Sequence, residues 1–190
     1  MNVGVDEAGR GCFLGPVYAA AVIWDNEYNC DLLKDSKKMT ELQREYMYDY
    51  IKYHAIDYGI AYSTVEEIDS LNILQASQLA IHRALDKLNI DFDAIDVDGN
   101  YFNRWKDKPY KLIIQGDALC PNISAASILA KVERDKYIKN LVNEYPELNN
   151  YQLLTNKGYG TRGHRDALYT HGLSKFHRKS FNLSKYGKAF

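Results

Sequence analysis

The sequence predicts an α/β domain built around a mixed sheet. Three observations carry this. Short apolar, β-branched runs stand at the front of the chain and again in its middle, at Val3–Val5, Val17–Trp24, Ile56–Thr64, Ala94–Val97 and Lys111–Gln115. Between the later runs lie segments with helical spacing and capping signals. Strands come together early and then alternate with helices, the pattern of a sheet with both antiparallel and parallel neighbours.

Each element has its own cue. Residues 2–5 and 17–24 flank a Gly-Arg-Gly turn and read as strands. Thr40-Glu41-Leu42-Gln43 is a capping box that starts a helix running to about Tyr53. Residues 56–64 alternate and are rich in Tyr and Ile, a strand. Residues 65–88 look helical, with a break near Asn72. Ala94–Val97 and Lys111–Gln115 are short strands of the buried type. Ile123–Tyr145 is a long helix ended by Pro146, and Thr161 caps a last short helix that stops at Gly172. No repeat, linker or low-complexity stretch interrupts the series. One domain over 1–190 is expected, with 146–190 as a basic helical and loop part at its end.

Composition excludes several classes. The strongest apolar run, near Val17–Trp24, is far shorter than the roughly 20 residues of a membrane span. The first residues show neither a basic nor an apolar signal region, so a cytoplasmic protein is expected. Cys12, Cys30 and Cys120 are odd in number and form no Cys-x-x-Cys pair, against a disulfide framework or zinc ribbon.

Net charge is only −1, but it is unevenly spread. Residues 157–190 carry eight Lys or Arg against Asp166 alone, a balance of +7, which leaves −8 on the first 156 residues. A basic end joined to an acidic body suits a phosphate-binding flank beside a carboxylate metal site. His164, His171 and His177 lie in this basic end, where a phosphate contact competes with a packing role.

The acids give the chemistry. Asp6 and Glu7 close the first strand and lead into Gly9-Arg10-Gly11. Carboxylates at a strand tip suit a hard divalent cation, and glycines bring backbone N–H groups close to a ligand. Adjacent strand residues face opposite sides of a sheet, so both acids share one site only if the strand ends or bulges there. Asp117 follows the strand Leu112-Ile113-Ile114 in a Gly-Asp-Ala turn. Asp135 interrupts the stripe Ile128, Val132, Ile138, Val142, which an amphipathic helix buries. A buried carboxylate requires a cation or a hydrogen-bond network, and Lys131 and Arg134 are the competing local partners. Asp98, in Asp-Gly-Asn, reads as a turn residue.

Taken in order, these motifs resemble ribonuclease HII, the type 2 ribonuclease H family. They are Asp6-Glu7-Ala8-Gly9-Arg10-Gly11, Asp35-Ser36-Lys37, Asp98-Gly99-Asn100, Gly116-Asp117-Ala118, Ile123 to Lys131 with Arg134-Asp135, and Lys157-Gly158-Tyr159-Gly160-Thr161. The resemblance spans Val3 to about Phe181. It implies a ribonuclease-H-like fold: a mixed five-stranded sheet, its first three strands antiparallel, flanked by helices, with a helical C-terminal part. It implies an endonuclease that cuts RNA in RNA–DNA hybrids and cuts at single ribonucleotides in duplex DNA. The four metal-site acids then fall on Asp6, Glu7, Asp117 and Asp135. Gly9, Arg10 and Gly11 match the element that reads the ribose 2′-OH. Tyr159 matches the tyrosine facing the deoxyribose at the junction, and Lys37 a phosphate contact.

Two Mg²⁺ or Mn²⁺ ions about 4 Å apart would clamp the phosphate and leave 5′-phosphate and 3′-hydroxyl ends. The expected partners are RNA–DNA hybrid and ribonucleotide-containing duplex DNA. A monomer is expected, without a membrane or a sliding-clamp docking peptide. One departure stands out: Cys12 follows Gly-Arg-Gly where the family commonly has proline. Competing readings are ribonuclease HIII, another nuclease of the superfamily, and a non-catalytic nucleic-acid-binding module.

Overall fold

The computed structural model describes residues 1–25, 33 and 39–186. Cys30, the Asp35-Ser36-Lys37 motif with its candidate contact Lys37, and residues 187–190 lie outside them. Five strands form one sheet: β1 (Asn2–Ala8), β2 (Val17–Ile23), β3 (Asp57–Ser63), β4 (Ala94–Asp98) and β5 (Tyr110–Ile113). Their order is β3-β2-β1-β4-β5. The first three are antiparallel neighbours, and β4 and β5 add in parallel beside β1. The expected ribonuclease-H-like mixed sheet is therefore present.

The helices fall close to their predicted bounds. α1 (Glu41–His54) starts at Thr40 with both bonds of the capping box formed. The expected break near Asn72 separates α2 (Val65–Leu71) from α3 (Ile73–Leu85); Asn72 has φ 71° and its side chain caps α3. The turn after β5 folds into a short helix, α4 (Gly116–Leu119), which leads into α5 (Pro121–Glu144). α6 (Leu153–Asn156) and α7 (Arg162–His171) follow, α7 capped by Thr161 as read from sequence.

Small side chains set the packing on which the site depends. α5 lies against β1 and β2 through Ala125, Ala126 and Ala130, facing Ala8, Ala20 and Val22. The approach is close: a Cβ on Gly4 would stand 2.3 Å from the Asn122 carbonyl carbon. Any larger residue there would push α5 off the sheet. The opposite face of β1, with Val3 and Val5, packs against α3. A third cluster joins the end of α5 to the C-terminal helices through Leu14, Ile138, Leu148, Leu153 and Leu168.

One sequence expectation needs correcting. β1 neither ends nor bulges at Asp6-Glu7; its register with β2 continues through Glu7↔Ala19 to Ala8↔Tyr18. Pairing with β4, however, stops at Val5↔Val97. The last three residues of β1 thus run on past their pairing with β4, and a cleft opens at that step.

Candidate active site

The cleft is lined by Asp6, Glu7, Gly9, Arg10, Gly11, Asp98, Asp117, Ser127, Lys131 and Tyr159, among others, and encloses about 430 Å³. It sits at the C-terminal ends of parallel β1 and β4, where ligands bind in open α/β sheets. Both β1 acids reach it although they leave opposite faces of the strand, because β4 no longer covers that edge. Asp6 is buried beneath α5 and accepts hydrogen bonds from the Glu7 N–H at 2.7 Å and the Ser127 hydroxyl. Glu7 is less buried and pairs with Arg10 at 3.1 Å. Asp117 is buried in the first turn of α4.

Burial dominates the electrostatics of the cleft, and like charge adds to it. Burial, then Glu7 and then Asp98 hold the Asp6 carboxyl well above the usual carboxylate range. Burial raises Glu7 as well, opposed by Arg10 and reinforced by Asp98. Asp98 is thus more than a turn residue. Its Oδ1 accepts the Gly116 N–H at 2.7 Å, tying β4 to the turn that carries Asp117, and its charge bears on both β1 acids.

Asp135 stands apart from the other three. It is buried on α5 and does not line the cleft; Lys131, one turn earlier, holds both its oxygens at 2.8 and 3.0 Å. Lys131 lines the cleft, so the ion pair joins Asp135 to it. Among the described residues, no three His, Cys, Asp or Glu side chains are gathered closely enough to grip a cation. The donor set nonetheless fits one. It is all carboxylate oxygen, which suits hard ions, and its members destabilise one another's charge, which a cation would relieve.

The rim is built from two turns. Gly9 has φ 95°, and a Cβ there would lie 2.1 Å from Arg134 Nε, so no side chain fits. Cys12 bridges to Tyr159, and the Phe13 N–H donates to Gly158 O at 2.8 Å, which zips the Gly-Arg-Gly turn to the Gly158–Gly160 turn. Cys12 also donates its N–H to Gly9 O at 3.3 Å, a bond proline could not make.

Two arginines, Arg178 of the basic end and Arg134, which the sequence offers as a partner of Asp135, are buried under this rim. Arg134 donates to the carbonyls of Leu14, Pro16 and Lys157, and Arg178 to those of Gly9, Arg10, Gly15 and Pro16. Arg134 is therefore not the partner of Asp135. His164 and His177 are buried too, which removes them as phosphate contacts, whereas His171 is exposed. Arg44 of α1 also lines the cleft, and no motif marked it beforehand.

A sequence profile of the family described as Ribonuclease HII matches residues 3–184. The chain belongs to the ribonuclease HII family. The Ribonuclease HII of Bacteroides thetaiotaomicron is 46% identical over 183 residues, covering 96% of this chain and 90% of that protein. Among solved structures, ribonuclease H2 from Pyrococcus horikoshii OT3 superposes with TM-score 0.77 at 26% identity, covering 99% of both chains. The ribonuclease HII of Archaeoglobus fulgidus, solved as a complex with PCNA, gives TM-score 0.75 at 23% identity, covering 100% of this chain and 98% of that one, a likeness of fold. As a ribonuclease HII, the chain is a metal-dependent hydrolase of the RNA strand in RNA–DNA hybrids. Among the described residues, no helix is long and apolar enough to cross a membrane.

Proposed function

We propose that this ribonuclease HII also cuts at single ribonucleotides embedded in duplex DNA, and that Asp6, Glu7, Asp117 and Asp135 hold two divalent ions, Mg²⁺ or Mn²⁺. The observation that carries the reading is the joint lining of one cleft by three of these acids, the Gly9–Gly11 turn and Tyr159. When bound, the ions would lower the pKa of the attacking water and stabilise the leaving oxygen.

The rest falls to the protein. Gly9 and Gly11 present backbone to the cleft without a side chain between, so a ribose 2′-OH can approach them. Tyr159 offers a half-exposed ring beside Gly11, suited to stacking on the sugar of the next nucleotide. Arg10 tethers Glu7 and leaves its other N–H groups for phosphate. Lys131 pairs with Asp135 and releases it by a change of rotamer, which completes the acidic set. Lys37 contacts the substrate backbone. The enzyme acts as a monomer.

The test is a duplex carrying one ribonucleotide, incubated with Mg²⁺, with Mn²⁺ and with a chelator. Cleavage at the ribonucleotide, giving 5′-phosphate and 3′-hydroxyl ends and abolished by chelation, is the expected result. Cutting of long hybrids alone would refute the embedded-ribonucleotide reading.

A further inference from the structure

Behind Tyr159, away from the acids, four polar groups form a chain with a fixed direction. The Ser174 backbone N–H donates to His177 Nδ1 at 2.9 Å. A backbone N–H can only donate, so Nδ1 is the bare nitrogen of His177 and Nε2 carries the proton. His177 Nε2 lies 3.0 Å from His164 Nε2, which must therefore accept. The remaining proton of His164 is on Nδ1, 3.0 Å from the Tyr159 carbonyl oxygen. Only one arrangement of protons satisfies every link.

The surroundings enforce it. Both imidazoles are fully buried, with Tyr151 edge-on to each at 5.8 and 4.8 Å. Burial drives both below the ordinary histidine range, His177 to about 3, so both stay neutral and the chain keeps its direction near neutral pH. The chain ends on the residue that faces the cleft. Tyr159 is held on its other side by the bridge to Cys12. The segment that starts the chain also holds the opposite wall: His177 bridges to Leu14, and the next residue, Arg178, grips the carbonyls of Gly9 and Arg10.

We propose that His164 and His177 are positioning residues for substrate reading: the directed chain Ser174–His177–His164 fixes the Tyr159 backbone and so the seat of its ring over the Gly9–Gly11 turn. This rests on the reading of Tyr159 as the side chain that meets the substrate sugar. His164 does the holding, and His177 sets the tautomer that lets it do so. A pair serving only as packing would place no demand on which nitrogen of His164 bears the proton.

Two measurements decide it. In the parent protein, long-range ¹H–¹⁵N spectra of labelled histidine should show His164 protonated at Nδ1 and His177 at Nε2; the reverse for His164 overturns the proposal without any variant. The second compares His164→Asn with His164→Gln, each checked for folding by its melting temperature. Asn keeps a donor near the Nδ1 position and loses the link to His177; Gln keeps an acceptor near the Nε2 position and loses the link to Tyr159.

On a duplex with one ribonucleotide, Asn should stay within about threefold of the parent in kcat/KM, and Gln should fall by about tenfold or more, since small misplacements of a substrate contact cost that much. Equal losses, or the opposite order, overturn the proposal. Tyr159→Ala, run in parallel, separates the two layers. If it is impaired while His164→Gln is not, the positioning claim fails and the reading of Tyr159 stands. If it cleaves like the parent, the reading of Tyr159 fails and the tautomers still report on the chain itself.

Discussion

Arg178→Met tests how the rim is held. The guanidinium is fully buried and donates four hydrogen bonds, to Gly9 and Arg10 at 2.8 Å, Gly15 at 2.9 Å and Pro16 at 3.2 Å. Burial lowers it to about 10, so at pH 7 it remains charged. After substitution Gly9 O keeps the Cys12 N–H, and Pro16 O keeps Arg134. The Arg10 and Gly15 carbonyls lose the donor described for them. The buried Gly15 carbonyl left without a donor costs about 1–3 kcal/mol, and the Arg10 carbonyl, on an exposed residue, costs less. Removing the desolvated cation returns part of that, so a net loss of about 2 kcal/mol is expected. For a chain of 190 residues this is a fall in melting temperature of about 4–8 °C. Urea unfolding followed by tryptophan fluorescence gives the free energy, with an unchanged m-value as the check on mechanism. Arg178→Lys should fall between, because one ammonium cannot span four carbonyls. A loss below about 1 kcal/mol for Arg178→Met would show that the carbonyls find other donors and that the clamp does not hold the rim.

Three further outcomes follow from the site. Asp6→Asn should lower cleavage by about a hundredfold or more and abolish the rise in melting temperature that saturating Mn²⁺ gives the parent; retention of either in the folded variant sinks the metal-site assignment. Lys131→Met should bind Mn²⁺ roughly fivefold tighter by calorimetric titration, since an opposing ion pair worth about 1 kcal/mol is removed, and weaker binding would refute the competition. Acid should destabilise the fold through the buried imidazoles. The unfolded chain takes up a proton at His177 below about 6.5 and the folded protein only near 3, so stability is full above that window and falls as pH drops through it, by up to about 1.4 kcal/mol per unit. Asp6 and Glu7, pushed upward, act in the opposite sense. The slope is therefore measured as the difference between the parent and His177→Asn, and identical slopes would contradict it.

Local rules made much of the fold legible. Thr40, Asn72 and Thr161 mark real helix boundaries because each side chain satisfies an N–H that the helix leaves open. The length of β1 was not legible. Asp and Glu are poor strand formers, and only the ladder to the Ala19 and Ala20 positions of β2 carries the strand through them. The choice between Lys131 and Arg134 as partner of Asp135 needed the helix in three dimensions. Residues four apart share a face, while adjacent residues point away from each other. Arg178 was misread for a different reason. Counting charge along the chain treats basic residues as solvated, and basic residues are rarely fully buried unless paired. Here the partners of Arg178 are backbone carbonyls, which sequence does not distinguish.

That last point bears on why the rim is built as it is. Most of the segment from Gly9 to Pro16 is buried, Arg10 and Gly11 excepted, and its buried carbonyls need donors. Regular structure would supply them but would straighten the turn that Gly9 and Gly11 open to the cleft. Arg134 and Arg178 supply six hydrogen bonds to it instead, from α5 and from the C-terminal segment, and Arg134 adds a seventh to Lys157, so that three distant parts of the chain are tied to one loop. Buried guanidiniums are more often held by carboxylates. A carboxylate here would set another negative charge beside Asp6 and Glu7, whose carboxyls like charge already pushes upward. Carbonyl dipoles hold the cations without adding net charge, so the field in the cleft stays set by the acids and remains free to act on a divalent ion.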